Sequence, residues 1–313
     1  MKNVREKSVK PRKTGRVTQN ARADGLNVCV IGLGLIGGSV ALALKSRRPR
    51  MNLVGCDVKE ALDVAKTAGI FNSLVDSKKL AQAVKGCDYV FLCAPYSVNV
   101  QLLVQLRDLV PQTCVITDVG GLKREICQVA RKIYASPEGP WFVGGHPLSG
   151  RELSGFKAAS PELFRGRTWA ICEAAPLPAA KLAEFYDLME ATGAVMREVD
   201  ARAHDEAMVT VSHLPQLVST ALMLTASGRD AGMAGTALLD MTRLANSNPA
   251  TWNPVLLAER QRAVAELQRL RAYLTEIEIA LAFNEPLTKW FNLAARARES
   301  LVKATVSGKP ESK

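Results

Sequence analysis

Three glycines in the order G-x-G-x-x-G, within "GLGLIGGS" at residues 32–39, stand directly after the β-branched run "NVCVI" and open into "VALALKSR". A buried strand that turns sharply into a helix is the element this pattern dictates. Gly32 permits the turn, Gly34 lets backbone N–H groups come close to a pyrophosphate, and Gly37 allows close helix–strand packing. The N-terminus of the following helix then presents its positive end to phosphate. Alone the pattern is weak, because glycine-rich strand-to-helix turns recur in many α/β proteins. Here "VGCD" places Asp57 20 residues after Gly37, where a dinucleotide fold ends its second strand with an acid for the ribose hydroxyls. A structural Asp after a strand would look the same. The reading is NAD over NADP, since Asp57 repels a 2′-phosphate, although Lys59 stands close to it in the chain.

The surrounding sequence supports an α/β fold. "LNVCVIG", "MNLVGCD", "DYVFLCAP" and "TCVITDVG" are apolar almost throughout, as strands buried on both faces require. Between them lie the helix-like "GGSVALALKSR", "KEALDVAKTAG", "SKKLAQAVKG" and "VNVQLLVQLRDLV". Further strands are predicted at "WFVGGHP", "RTWAIC" and "AVMREV", with a helix over "PAAKLAEFYDLMEATG". This order predicts a Rossmann-like, doubly wound domain over residues 26–199. After Asp200 nothing strand-like remains, so an all-α domain is expected over residues 200–300. Its longest helix is predicted from about Leu256 to Phe283. There Leu267, Leu270, Leu274, Ile277 and Leu281 alternate spacings of three and four, a seam that wants either a helix of its own bundle or a second copy of the chain.

The net charge of +11 suggests a nucleic-acid partner until it is located. Residues 1–25 hold eight Lys and Arg against two acids, and residues 301–313 three Lys against one Glu. The basicity belongs to the ends, read as a disordered leader and a disordered tail, and the body is nearly neutral. A basic arm for nucleic acid or a targeting peptide are the minority readings of the leader. No apolar core of a secretory signal and no uninterrupted membrane-length run is evident. The seven cysteines lie in apolar stretches without a C-x-x-C, which favours buried thiols in a reducing cytoplasm over disulfides or a metal site.

The three histidines are His146 in "GGHPLSGRELSG" and His204 and His213 in "HDEAMVTVSHLPQ". With "GLGLIGGS", "DVGGLK" and "DMTRLANSNPATW" these motifs follow in an order that resembles the prephenate/arogenate dehydrogenase family of tyrosine biosynthesis, over roughly residues 27–295. The resemblance implies NAD(P)-dependent oxidation of a cyclohexadienol with loss of its ring carboxylate as carbon dioxide. Prephenate would give 4-hydroxyphenylpyruvate, and arogenate would give tyrosine. It implies that His146 is the catalytic imidazole that takes the C4 hydroxyl proton, and that His213 and Arg243 contact substrate, Arg243 at a carboxylate. His204 is expected to cap or pack rather than touch substrate. Asp240 is placed to pair with Arg243 or with a loop group, and Trp252 to wall the ring pocket or pack in the core.

Ser149 and Arg151 join the expected substrate set, and a guanidinium at Arg151 favours the keto acid prephenate over the ammonium of arogenate. Gly32, Gly34, Leu35, Ile36, Gly37, Asp57, Pro95 and Gly121 form the expected cofactor set. The family often has Ser where this chain has Gly121, a hydroxyl expected to orient the imidazole and touch the cofactor. A water, Ser149 or a backbone group is expected to substitute. Lys123 is read as near the mouth of the site or in a structural contact. A homodimer through the helical domain is expected, with no membrane or nucleic-acid partner. The competing readings are a β-hydroxyacid-dehydrogenase or imine-reductase-like enzyme, which would rely on a lysine of the helical domain, and a non-catalytic dinucleotide- or nucleic-acid-binding protein.

Overall fold

In the computed structural model, which describes residues 25–151, 153–173, 177–228 and 231–306, strands and helices alternate from β1 (Asn27–Ile31) and α1 (Leu35–Arg47) onward. They continue as β2 (Asn52–Asp57), α2 (Lys59–Lys66), β3 (Ser73–Asp76), α3 (Leu80–Val84), β4 (Tyr89–Leu92) and α4 (Tyr96–Leu106). Then come β5 (Val115–Asp118), α5 (Arg124–Ile133), β6 (Trp141–Pro147), β7 (Thr168–Glu173), α6 (Ala179–Glu190) and β8 (Val195–Glu198). The strands form one sheet in the order β3-β2-β1-β4-β5-β6-β7-β8. The basic leader up to residue 24 lies outside the described residues.

Alternation along β1 explains the two apolar layers. Val28 and Val30 face one core with Phe91, Val143, Phe185 and Leu188, while Cys29 and Ile31 face the other with Val90, Leu92, Leu103 and Ile126. Both faces are covered, so β4 and β5 are buried at every position, which is why their sequences show no polar alternation. The six strands from β3 to β6 are parallel, but β7 runs antiparallel to β6. A parallel neighbour requires a crossover element, and the link from β6 to β7 offers among its described residues only a short turn at Phe156–Ala158.

Apolar patterning does not announce β3, whose "SLVD" has one buried residue, Val75. Nor does it announce α5, which buries only Ile126, Cys127 and Ala130 of its ten residues.

The chain divides into two compact units. One runs to Asp205 and also takes Ser247–Pro254; the other takes Glu206–Asn246 and the chain from Val255 onward. The division therefore falls six residues beyond the expected boundary, within α7 (Ala201–Met208). A π turn at Val209–His213 joins α7 to α8 (Leu214–Ala226), followed by α9 (Thr236–Thr242), α10 (Pro249–Ala258), α11 (Arg260–Ala282) and α12 (Thr288–Val306). The last helix extends through Val306, six residues into the segment expected as a tail. In α11 only Ala263 and Ala280 are buried, and of the leucine seam Leu267, Leu274 and Leu281 are exposed at 37%, 56% and 59%. Among the described residues the fold therefore leaves these three seam positions uncovered, while Leu270 and Ile277 are half-buried.

One helical run, Ala201–Ala226, has the length and mean hydropathy, 1.3, that would also suit a membrane span, contrary to the expectation that no such run exists. Its buried positions include His204, Asp205, His213, Gln216 and Ser219, a polar set that calls for protein partners rather than hydrocarbon.

Candidate active site

The glycine turn sits at the carboxyl end of β1, between β2 and β4, where the strand order reverses. Gly32 has φ +94°, and a Cβ there would meet the backbone N of Ala94 at 2.5 Å, so the turn folds against the loop that follows β4. A Cβ on Gly37 would lie 1.9 Å from the Gly32 carbonyl oxygen, which excludes any side chain. At Gly34, by contrast, a Cβ would meet nothing within 4 Å, leaving that side of the turn open for a ligand. No side chain caps α1 and its first turn carries no acid, so its leading N–H groups suit an anion. Leu35 and Ile36 are half-buried in that turn, and Pro95 is the exposed N-cap of α4.

Asp57 ends β2 beside this turn. Its Oδ2 accepts the Leu33 N–H at 2.6 Å and its Oδ1 the Val58 N–H at 2.7 Å. Those bonds fix the carboxylate, and each oxygen keeps a lone pair for a ribose hydroxyl. The adjoining cleft is lined by Leu33, Gly34, Asp57, Ala61, Phe156 and Lys157. The open side of Gly34, the uncapped α1 and the fixed carboxylate together fit a dinucleotide. Lys157 lines the same cleft as Asp57 and belongs to no motif that marks it for a cofactor.

His146 lies near the carboxyl end of β6 and is half-buried. Gly145 makes that position possible, because a Cβ there would come within 2.5 Å of the Asp118 carbonyl oxygen. The His146 Nδ1 lies 2.9 Å from Nε2 of His204, with the rings edge to face at 73°. His204 is 2% exposed, and its Nδ1 lies 2.8 Å from Oδ1 of Asp205. Asp205 also accepts the backbone N–H groups of Lys123 at 2.8 Å and Arg124 at 2.9 Å. Burial pushes the Asp205 carboxyl up, but the bonds from His204, Arg124 and Lys123 outweigh it and hold the group below the usual carboxylate range.

The expected packing role of His204 is thus a specific one, since its ring partner is His146. The side chain set against His146 Nδ1 is thus His204 and not Ser149. Ser149 instead donates to the Leu163 carbonyl at 2.7 Å. Gly121 stands beside the other side of the ring, and a Cβ there would lie 3.8 Å from His146 Cε1 and Nε2. Lys123 is fully buried in an ion pair with Asp118, so it is a structural contact rather than a group at the mouth.

Arg151 is exposed in the loop after β6. In the second unit His213 is 2% exposed at the end of the π turn. Arg243 is exposed where α9 ends, and Asp240 is exposed on α9. Trp252 is half-buried on α10. Gln216, which the sequence did not single out, is buried one turn beyond His213 and donates to the Leu244 carbonyl at 2.8 Å.

A crossover sheet with a glycine turn, an acid fixed beside that turn and a buttressed imidazole fit a nucleotide-dependent dehydrogenase. The family model "Prephenate dehydrogenase, nucleotide-binding domain" matches residues 40–198, and "Prephenate dehydrogenase, dimerization domain" matches residues 200–293. The chain belongs to the prephenate dehydrogenase family. It is 29% identical over 261 residues to prephenate dehydrogenase of Lactococcus lactis, covering 81% of this chain and 71% of that one. With the Bacillus subtilis prephenate dehydrogenase the identity is 28% over 292 residues, 88% of this chain and 76% of the other. Its fold is similar to that of Aquifex aeolicus prephenate dehydrogenase solved with hydroxyphenyl propionate and NAD+, with a TM-score of 0.77 at 24% identity, covering 88% of this chain and 98% of that one.

Proposed function

We propose that this chain catalyses the NAD-dependent oxidative decarboxylation of prephenate to 4-hydroxyphenylpyruvate in tyrosine biosynthesis. The observation that carries the reading is His146, an imidazole held on one ring nitrogen by a buried partner within the nucleotide-binding unit. Its Nε2 takes the proton of the C4 hydroxyl, a general-base task to which an imidazole is suited. NAD, when bound, supplies the acceptor for the hydride that leaves C4. The uncapped N-terminus of α1 holds the pyrophosphate and Asp57 the adenosine ribose hydroxyls. Loss of the ring carboxylate as carbon dioxide then aromatises the ring.

Arg243 binds a substrate carboxylate through its planar fork, and His213 and Ser149 position the ring. Arg151 favours the keto acid side chain. Gly121 would belong to the cofactor site, leaving the space beside the His146 ring free of a side chain from that position. The exposed seam of α11 supports a homodimer through the helical domain, consistent with the matched dimerization domain. Seven free cysteines, six of them buried, suit a reducing cytoplasm.

The test is the initial rate of nicotinamide reduction with prephenate and with arogenate, each with NAD and with NADP. Turnover of prephenate with NAD is the expected result. Preference for arogenate would remove the role of Arg151 while keeping the enzyme class, and silence with both substrates would defeat the proposal.

A further inference from the structure

Asp205, His204 and His146 form one hydrogen-bonded line, and its direction can be worked out from the one member that can only accept. The ionised Asp205 carboxylate takes a proton-bearing partner, so His204 presents Nδ1–H to it across 2.8 Å. Asp205 cannot turn away, because two backbone N–H groups from the start of α5 hold both its oxygens. With a single proton, on Nδ1, His204 has its lone pair at Nε2, and His146 fills the 2.9 Å contact by donating from Nδ1; a His204 protonated on both nitrogens would reverse the line, and 15N NMR separates the two. His146 in turn has its lone pair at Nε2, the nitrogen beside Gly121. Gly121 carries no hydroxyl that could set the ring from that side.

We infer that His204 is a positioning residue for the reaction, which together with Asp205 fixes the tautomer and orientation of His146 so that Nε2 is the proton acceptor. This rests on the reading of His146 as the base. Both rings are held in the Nδ1–H form, and when His146 Nε2 receives a proton the resulting cation is hydrogen-bonded through His204 toward a buried carboxylate. The arrangement is buried except at the His146 ring itself, which keeps water from competing for the shared proton.

The test begins without substrate. The chain has three histidines, so the ring nitrogens of the full-length protein can be assigned by 15N NMR with His213→Asn and His204→Gln variants. His146 and His204 are both expected to carry their proton on Nδ1 at neutral pH. A His146 protonated on Nε2, or His146 signals unmoved by His204→Gln, would overturn the inference.

The kinetic arm uses prephenate and NAD. His204→Ala is expected to lower kcat roughly 100-fold, within the range for loss of oriented acid–base catalysis, with KM and NAD affinity within about threefold. His204→Gln, which restores an acceptor for His146 Nδ1–H, is expected to recover at least about tenfold of that loss. An unchanged kcat in His204→Ala, beside an inactive His146→Ala, sinks the positioning role alone. Full activity in His146→Ala would sink the assignment of the base, and the NMR arm reads the hydrogen-bonded line whichever substrate proves correct.

Discussion

Lys123 and Asp118 form an ion pair in which neither side chain reaches solvent. Asp118 ends β5 and also accepts the N–H groups of Gly120 at 2.9 Å and Gly145 at 3.1 Å. One carboxylate therefore ties the loop after β5 to the strand that carries His146. Lys123→Met would leave that carboxylate buried with its counter-charge gone, and breaking a buried pair in this way costs about 3–5 kcal/mol. Urea unfolding of Lys123→Met should show a loss of that size. The double variant Lys123→Met with Asp118→Asn should recover part of it, because the uncompensated charge is removed. A Lys123→Met protein as stable as the parent would mean the pair contributes nothing to the loop.

The glycine turn separates folding from cofactor binding at two positions three residues apart. Gly37→Ala places a Cβ 1.9 Å from the Gly32 carbonyl oxygen, so the turn itself must move. It should lower Tm by several degrees, the shift expected of ~1–3 kcal/mol of overpacking. Gly34→Ala meets nothing within 4 Å in the protein, so its Tm should stay within about 2 °C of the parent. On the proposed reading the same methyl stands where the pyrophosphate approaches, and NAD affinity should fall on the order of tenfold or more. Thermal melts and fluorescence titration with NAD check both. Unchanged NAD binding in Gly34→Ala would place the phosphates elsewhere.

Asp205 gives the enzyme a defined acid limit. Its carboxyl is held below the ordinary value in the folded protein, so the unfolded chain binds its proton first as pH falls. The resulting stability is fully present above the unfolded carboxyl range and is lost as pH drops through the folded value. Asp205→Asn should therefore be less stable than the parent at pH 7, with the difference shrinking as pH falls through the ordinary carboxyl range and below it. Melting temperatures across that interval provide the measurement. A gap independent of pH would show that the carboxylate charge does not contribute.

Gly121 poses a narrower question, since the resemblance implies that a hydroxyl at that position would help orient the imidazole. His204 already holds the ring from the Nδ1 side. A Cβ at residue 121 would make only ordinary contact with His146, at 3.8 Å, so Gly121→Ser should fold with stability within about 0.5 kcal/mol of the parent. Its kcat should change by less than about threefold, far less than the effect of losing a properly oriented base. A large gain on introducing the serine would show that His204 leaves the ring poorly set.

Much of the nucleotide-binding unit is legible because burial on both sheet faces imposes long apolar runs, as in β4 and β5. The glycine turn and Asp57 are legible because a tight turn and a fixed distance along the chain leave a local mark. β3 is not, because an edge strand with one buried residue has almost no apolar signature. The antiparallel return of β7 escapes for another reason: it depends on a connection with little regular structure, whose length alone does not set direction. The partnership of His146 and His204 is invisible in sequence because 58 residues, with β7, α6 and β8 among them, separate two rings that meet at 2.9 Å. Its one trace is "HD" at the start of a helix, where an acid beside a histidine also reads as a cap.

The α11 seam leaves apolar side chains exposed along one helix of the described chain. Leu267, Leu274 and Leu281 project from a helix of 23 residues that buries only two alanines. Tyr273, Ile279 and Phe283 add further exposed apolar surface at 50%, 53% and 75%. Each such side chain recovers roughly 1.5–3 kcal/mol when fully buried, so a second copy packed along this helix has a sufficient driving force. Leu274→Glu puts a charge at the middle of the seam, where burial in a dimer would require desolvating it. Sedimentation equilibrium should show a dimer for the parent and a shift toward monomer for Leu274→Glu. Because Leu274 is 56% exposed in the single chain, the variant monomer should keep the helical content of the parent by circular dichroism. A parent that sediments as a monomer, or a Leu274→Glu protein that stays fully dimeric, would locate the interface away from α11.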